Sequence, residues 1–199
     1  PYLKIAALRE LKPDVPFIAV TASATRVVKE DIIQKLEFQQ PAVFQQSFAR
    51  DNLSFVVRKT EKKEKQLLTI LKKVAGSSIV YVRSRKATQY LARMLNQSGV
   101  SAIFYHAGLT YKERSERQEE WIKNKSRVMV ATNAFGMGID KPDVRTVAHM
   151  DLPENLEAYY QEAGRAGRDG KRSYAVVLFH EVDVLSLQSK VQQSQPTLD

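Results

Sequence analysis

Cysteine is missing from this 199-residue chain, and histidine occurs only 3 times. Disulfides and thiolate metal sites are therefore excluded, and the scattered histidines give no ligand spacing, so no metal and no structural zinc are expected. Long apolar runs are missing too. None approaches the roughly 20 residues that span a bilayer, and the opening PYLKIAALRELKPD lacks a signal-peptide core. A cytosolic chain without a membrane partner is the expectation. Glycine is sparse, with 8 residues, yet Gly164, Gly167 and Gly170 crowd into one stretch, YYQEAGRAGRDG at 159–170. An interior helical glycine costs ~1 kcal/mol relative to alanine. Arginines set between such glycines suggest side chains presented where backbone and ligand come close.

What is present is a globular composition, 43% hydrophobic and 27% charged, with a net charge of +9. Basic residues spread along the whole chain, which fits a polyanionic partner and equally fits simple solubility. Short apolar runs at 17–21, 79–82, 101–104, 127–131, 144–149 and 174–179 read as buried parallel strands. Helical spacing recurs between them at 26–37, 63–74 and 85–97, and Thr110 with Glu113 forms a capping-box pattern. A further helix opens at Leu156, and Gln188 to Asp199 turns polar and is expected to fray. Alternating strands and helices predict an α/β three-layer sandwich around a mainly parallel sheet. Residues 1–50 hold too few elements to close a sheet of their own, whereas 51–199 form a complete series. The boundary is therefore expected near residue 50.

Three segments follow strands, and doubly wound sheets place function beyond the C-terminal ends of strands. TASAT carries Thr21, Ser23 and Thr25, hydroxyls that can meet phosphate or simply cap the next helix. ATNAFGMGIDKPDVR at 131–145 carries Thr132, Asn133, Gly136, Gly138 and Asp140, whose carboxylate can accept from a ribose hydroxyl or an arginine. Taken alone, that loop favours a plain turn. In YYQEAGRAGRDG, Gln161, Arg165 and Arg168 stand at i, i+4 and i+7, one helical face, which could merely be solvated. Tyr159, Tyr160 and Trp121 are assigned to packing.

In their order these segments resemble the RecQ branch of superfamily 2 helicases, over nearly the whole chain. TASAT resembles motif III, SSIVYVRSRKAT at 77–88 motif IV, and FYHAGL at 104–109 the segment after it. VMVATNAFGMGIDKPDVRTVAHMDLP resembles motif V and YYQEAGRAGRDG motif VI. SFARDNLSF is also RecQ-like, except that Asp51 stands where the family commonly has proline.

The resemblance implies a RecA-like second helicase lobe, with residues 1–50 the end of the first lobe. It implies ATP and Mg²⁺ clamped between lobes in the full-length protein. Motif VI would supply Arg168 as the finger on the γ-phosphate and Arg165 as a bridge to phosphate or to the facing lobe. Gln161 would position water or couple to motif III through Thr21, Ser23 and Thr25, and Asp140 and Gly138 would lie near the nucleotide. Arg83, Ser84, Arg85, His106, Thr132 and Asn133 would track a single DNA strand, with Gly108 beside them. Arg83 and Arg85 lie on opposite sides of the local backbone, so only one is expected to face DNA. His106 alone fits a structural hydrogen bond as well.

Implied partners are single-stranded and duplex DNA and the rest of lobe one in cis, in DNA repair or recombination, with hydrolase and isomerase activity. Implied placement is cytoplasmic, nucleoid-associated in a bacterium or nuclear in a eukaryote. No G-x-x-x-x-G-K-[ST] and no DEAH box occur in the chain, so it reads as a fragment that should not hydrolyse ATP alone. The family's zinc-binding part would lie outside it. Three other readings stay open: an RNA helicase lobe, a non-enzymatic nucleic-acid-binding module, and a plain scaffold lobe.

Overall fold

The computed structural model describes residues 5–12, 14–21, 24–45, 47, 49–136 and 139–194. Two compact units divide the chain, Pro1–Ala49 and Arg50–Asp199. In the first, α1 covers Leu8–Leu11 and α2 covers Arg26–Lys35, and the Thr25 hydroxyl caps α2 by accepting from Val28 N at 3.3 Å. The strand expected at 17–21 is not formed. A strand exists by pairing, and the described residues of this unit offer no partner ladder, so Ile18 and Val20 stand 86% and 90% exposed. Phe17 lies under Arg9 instead, with the guanidinium 4.1 Å from its ring centre.

The second unit is built on six strands: β1 Leu53–Lys59, β2 Ser77–Tyr81, β3 Ala102–Tyr105, β4 Val128–Ala131, β5 Val144–His149 and β6 Ser173–Phe179. They form one sheet in the order β1-β6-β5-β2-β4-β3, and every pairing is parallel. Parallel neighbours need crossover connections. Four are helical: α3 Lys63–Lys73, α4 Arg85–Gln97, α5 Tyr111–Ile122 and α6 Leu156–Ala163. The fifth, from β4 to β5, runs through residues 132–143 with no helix among its described residues. α7, Glu181–Ser194, follows β6, so residues 188–194 are helical where the sequence suggested fraying.

Strand periodicity sends successive side chains to opposite faces. Val80 and Val82 meet Leu67 and Leu71 of α3 and Leu91 and Leu95 of α4 on one face. Ile79 and Tyr81 meet Trp121 of α5 and Ala163 of α6 on the other. The result is a three-layer α/β sandwich, and each fully buried leucine contributes ~1.5 to 3 kcal/mol. Trp121 is fully buried and donates its indole N–H to Ser78 O at 3.2 Å. The predicted capping box forms, with Glu113 N donating to Thr110 Oγ1 at 3.2 Å and Thr110 N to Glu113 Oε2 at 2.8 Å. Because all strands run one way, one edge of the sheet gathers their starts and the other their ends.

Candidate functional site

The arginine turn sits at the edge where strands start. α6 leaves the end of β5 and must return so that β6 can run parallel to β5, which carries residues 164–172 to the opposite edge from the strand ends. Gly167 N donates to Val144 O at 2.8 Å and Asp169 N to Pro142 O at 3.2 Å, both at the approach to β5. The expectation of a site beyond the C-terminal strand ends is thus corrected for this segment. The single helical face is corrected too. α6 stops at Ala163, and beyond it Gly167 takes a left-handed φ of +62°, so Arg165 and Arg168 leave the helix that carries Gln161.

Each arginine is held by the loop from β4 to β5. Arg168 Nη1 donates to Ile139 O at 3.0 Å and to Asp140 Oδ1 at 2.9 Å. Its side chain is 38% exposed and that of Asp140 84%, and its Nε and Nη2 make no hydrogen bond among the described residues. Arg165 turns inward, donating from Nη1 to Gly136 O at 2.5 Å, while its Nε is buried with no partner among the described residues. Gly136 has φ +148°, and a Cβ there would come within 2.2 Å of Arg165 Nη2, so the glycine lets the guanidinium lie where it does. Gly138 lies outside the described residues. Gln161 is exposed on α6.

At the ends of β2 and β5, within reach of the Arg165 charge, is a buried polar group that the sequence reading missed. Tyr81 donates its hydroxyl to Phe135 O at 3.1 Å and stacks on His149, ring centres 5.2 Å apart. Burial pushes the Tyr81 phenol well above its usual range, although the Arg165 charge opposes this. His149 Nε2 lies 2.8 Å from Glu162 Oε2 of α6, and Tyr159 packs edge-on against the same ring. Nothing in a buried apolar strand marks Tyr81 or His149 as different from core. The one available signal was a histidine ending a strand opposite a helix that bears a glutamate.

The opposite edge holds the other predicted residues. Ser84 caps α4, accepting from Ala87 N at 3.1 Å, which leaves its own hydroxyl proton free to donate elsewhere. Arg83 and Arg85 diverge. Arg83 Nη2 donates to Leu152 O at 2.8 Å and its N–H to Asp151 Oδ2 at 2.9 Å, toward the loop after β5. Arg85 lies against Gly108, where a Cβ would meet its Nη1 at 2.7 Å, in the loop after β3. His106 is 5% exposed, stacks on Phe104 and approaches Gln89 Nε2 at 3.4 Å. Desolvation, then the charge of Arg85, lowers its pKa, so the ring favours the neutral form. Thr132 is buried and its N–H donates to Tyr105 O at 3.2 Å, and Asn133 beside it is exposed. In the first unit Thr21 is exposed, Thr25 is the α2 cap, and Ser23 lies outside the described residues. Among the described residues no three metal-ligating side chains cluster, and no helix is long and apolar enough to cross a membrane.

Residues 62–170, which contain both edges' loops, match the family of the helicase conserved C-terminal domain. The chain belongs to that family. Within it the likeness is to RecQ helicases. The chain is 43% identical to the RecQ-like DNA helicase blm-1 of Caenorhabditis elegans, over 98% of its own length and 20% of that protein's. It is 40% identical to the ATP-dependent DNA helicase RecQ of Bacillus subtilis, over 94% of its length and 32% of the relative's. The chain therefore spans between a fifth and a third of these relatives. Among solved structures, Saccharomyces cerevisiae Dbp5 bound to RNA and ADP BeF3 matches with a TM-score of 0.72 at 20% identity, covering 96% of this chain and 52% of that one. At that identity the match carries the fold alone, which is the RecA-like α/β fold of helicase C-terminal lobes.

Two residues that organise the arginine turn escaped the sequence reading, which took the segment from 50 to 55 as a lead-in. Arg50 donates to Gly164 O at 2.9 Å and Gly167 O at 2.5 Å, and Asn52 Nδ2 donates to Gly167 O at 2.7 Å. A separation of 114 residues between Arg50 and Gly164 leaves no local pattern to read.

Proposed function

We propose that this helicase lobe is the second motor lobe of an ATP-dependent, 3′ to 5′ DNA helicase of RecQ type. The observation that carries the reading is Arg168. It stands at the sheet edge on a glycine-bounded turn, anchored through one nitrogen by Asp140 and Ile139 O, with its remaining donors turned to no described residue. Bound ATP would supply a transferring phosphoryl group whose growing charge such a donor fork can cancel, an effect worth ~10³ to 10⁵ in rate. Asp140 fixes the fork, and Arg165, spent on Gly136 O, supports the loop behind it. Gln161 is the group on α6 nearest in sequence to position water. Phosphates and Mg²⁺ would be held by a P-loop lobe in cis.

At the strand-end edge, the Ser84 hydroxyl, the start of α4, Arg85, His106, Thr132 and Asn133 would follow one phosphate backbone, with Arg83 or Arg85 facing it. DNA repair or recombination and a cytoplasmic, nucleoid or nuclear setting accord with this reading. The test is a substrate-swap unwinding assay with the full-length protein on tailed DNA and RNA duplexes. ATP-dependent unwinding of DNA with a 3′ tail is expected. Unwinding of RNA alone would favour an RNA helicase, and no ATP-dependent unwinding of either would favour a binding module. The 199-residue chain by itself should release no phosphate from ATP above background, because it carries no G-x-x-x-x-G-K-[ST]. Magnesium-dependent release that copurifies with the chain through successive columns would overturn that expectation.

A further inference from the structure

The segment that opens the second unit is fastened to the start, middle and end of the arginine turn. Arg50 is the first residue of that unit. Its Nη1 reaches Gly164 O, the carbonyl of the C-cap residue of α6, and its Nη2 reaches Gly167 O. Asn52 Nδ2 donates to Gly167 O and, at 3.0 Å, to Lys171 O, and Asn52 O accepts from Ser173 N at 2.8 Å. A Cβ at Gly167 would lie 2.6 Å from Asn52 Nδ2, so the bare glycine is what lets the asparagine close on the turn.

The chemistry of this clamp is specific. Carbonyls at a helix end lack intrahelical partners and favour a cation. A planar guanidinium that spans the helix-end carbonyl of Gly164 and the turn carbonyl of Gly167 fixes both distance and direction, which a single ammonium cannot. Arg168 is the residue directly after Gly167, so the carbonyl held by both Arg50 and Asn52 belongs to the peptide unit from which Arg168 projects.

We infer that Arg50 is a positioning residue for Arg168: the chain entering the second unit sets, through the Arg50 and Asn52 clamp, the direction in which the exposed arginine points. Movement of the entering segment is thereby converted into a change at the arginine. This rests on the reading of Arg168 as the group that meets nucleotide phosphate.

The experiment measures kcat and KM for ATP in the full-length protein for wild type, Arg50→Lys, Arg168→Ala and the double variant. Amide hydrogen exchange across residues 164–173 accompanies it. Lysine keeps the stem and the charge, so Arg50→Lys tests the fork with less risk to folding than Arg50→Ala. Arg50→Lys should lower kcat about tenfold, since small misplacement of a catalytic group is costly, and leave KM within about twofold. It should speed exchange at 165–168, and it should lower kcat no further when Arg168 is already alanine. An equal fall in kcat in both backgrounds would overturn the inference, as would unchanged kcat in Arg50→Lys while Arg168→Ala is impaired. Full turnover in Arg168→Ala would instead remove the phosphate reading itself, whatever Arg50 does.

Discussion

The two edges of the sheet differ in how many of their arginines are tied down. At the strand-start edge Arg50, Arg145, Arg165 and Arg168 all donate to backbone carbonyls of neighbouring turns, and Arg145 also pairs with Asp169. At the strand-end edge Arg83 is tied to the loop after β5 while Arg85 stays exposed beside Gly108. The first arrangement ties each of its arginines to the fold, and the second leaves the Arg85 guanidinium exposed. Stabilising charge in a transition state requires donors already in place, since reorganisation during the reaction would cost what the contact contributes. Tracking a phosphate backbone requires positive charge with latitude in position. The loop of residues 132–143 joins the two edges, placing Thr132 at one and Asp140 at the other.

The largest break in this comparison should come from Arg168. Alanine there should lower ATP turnover in the full-length protein by ~10³ while changing nucleotide affinity far less, because the guanidinium acts most where charge develops. Arg168→Lys should not restore the rate, since lysine cannot both hold Asp140 and offer a second planar donor. Steady-state kcat and nucleotide Kd for the three proteins decide the point. Turnover within about twofold of wild type would mean that the fixed edge is only structural.

Gly136→Ala probes the loop between the edges. Its added methyl would collide with the Arg165 guanidinium at a φ that side chains rarely adopt, so one or both must move. A loss of roughly 1 to 3 kcal/mol is expected in chemical denaturation of the chain. A variant as stable as wild type would show that Arg165 is not locked as described.

Much of this fold was legible in the sequence, and the failures share a cause. β2, β4, β5 and β6 announce themselves because strands covered on both faces are continuous apolar runs. β3, one edge strand, was anticipated at 101–104, whereas β1, the other, was missed because Phe55 and Val57 are exposed and Ser54, Arg58 and Lys59 interrupt its apolar run. Residues 17–21 misled for the converse reason: they have the composition of a strand, but pairing, which composition does not report, is what makes one. The glycines of 164–170 rightly signalled an unusual backbone, yet the edge they occupy followed only from the parallel pairing of β5 with β6. Arg50, Asn52, Tyr81 and His149 act through contacts distant in sequence, and their residue types are ordinary where they stand.

The strand-end edge should reveal itself by salt. If three phosphates are neutralised, single-strand affinity of the chain should fall with a log-log salt slope of about 2, near 0.7 for each contact. Arg85→Ala should reduce that slope by about 0.7, whereas Arg168→Ala, at the other edge, should leave it unchanged. Fluorescence anisotropy with a labelled oligonucleotide at several salt concentrations measures both. Equal effects from the two substitutions would erase the distinction between the edges.

The smallest expected effect concerns protons at the fixed edge. The hydrogen bond from Arg145, aided by the amide of Lys171, holds the Asp169 carboxyl below its usual range. A carboxyl whose pKa is depressed by folding stabilises the fold above the unfolded value, roughly 4 for aspartate, and that contribution disappears as pH falls through the lower, folded value. Wild type should therefore unfold at a slightly higher temperature than Asp169→Asn at pH 7, and the two should converge in acid. The pair is partly open to water, so the difference should be modest and should shrink in salt. Thermal unfolding of both proteins across that acid range, in low and high salt, is the measurement. A gap that persists unchanged into acid would mean that asparagine perturbs the turn by shape rather than by losing its charge, and that the Arg145 pair contributes nothing to holding this edge in place.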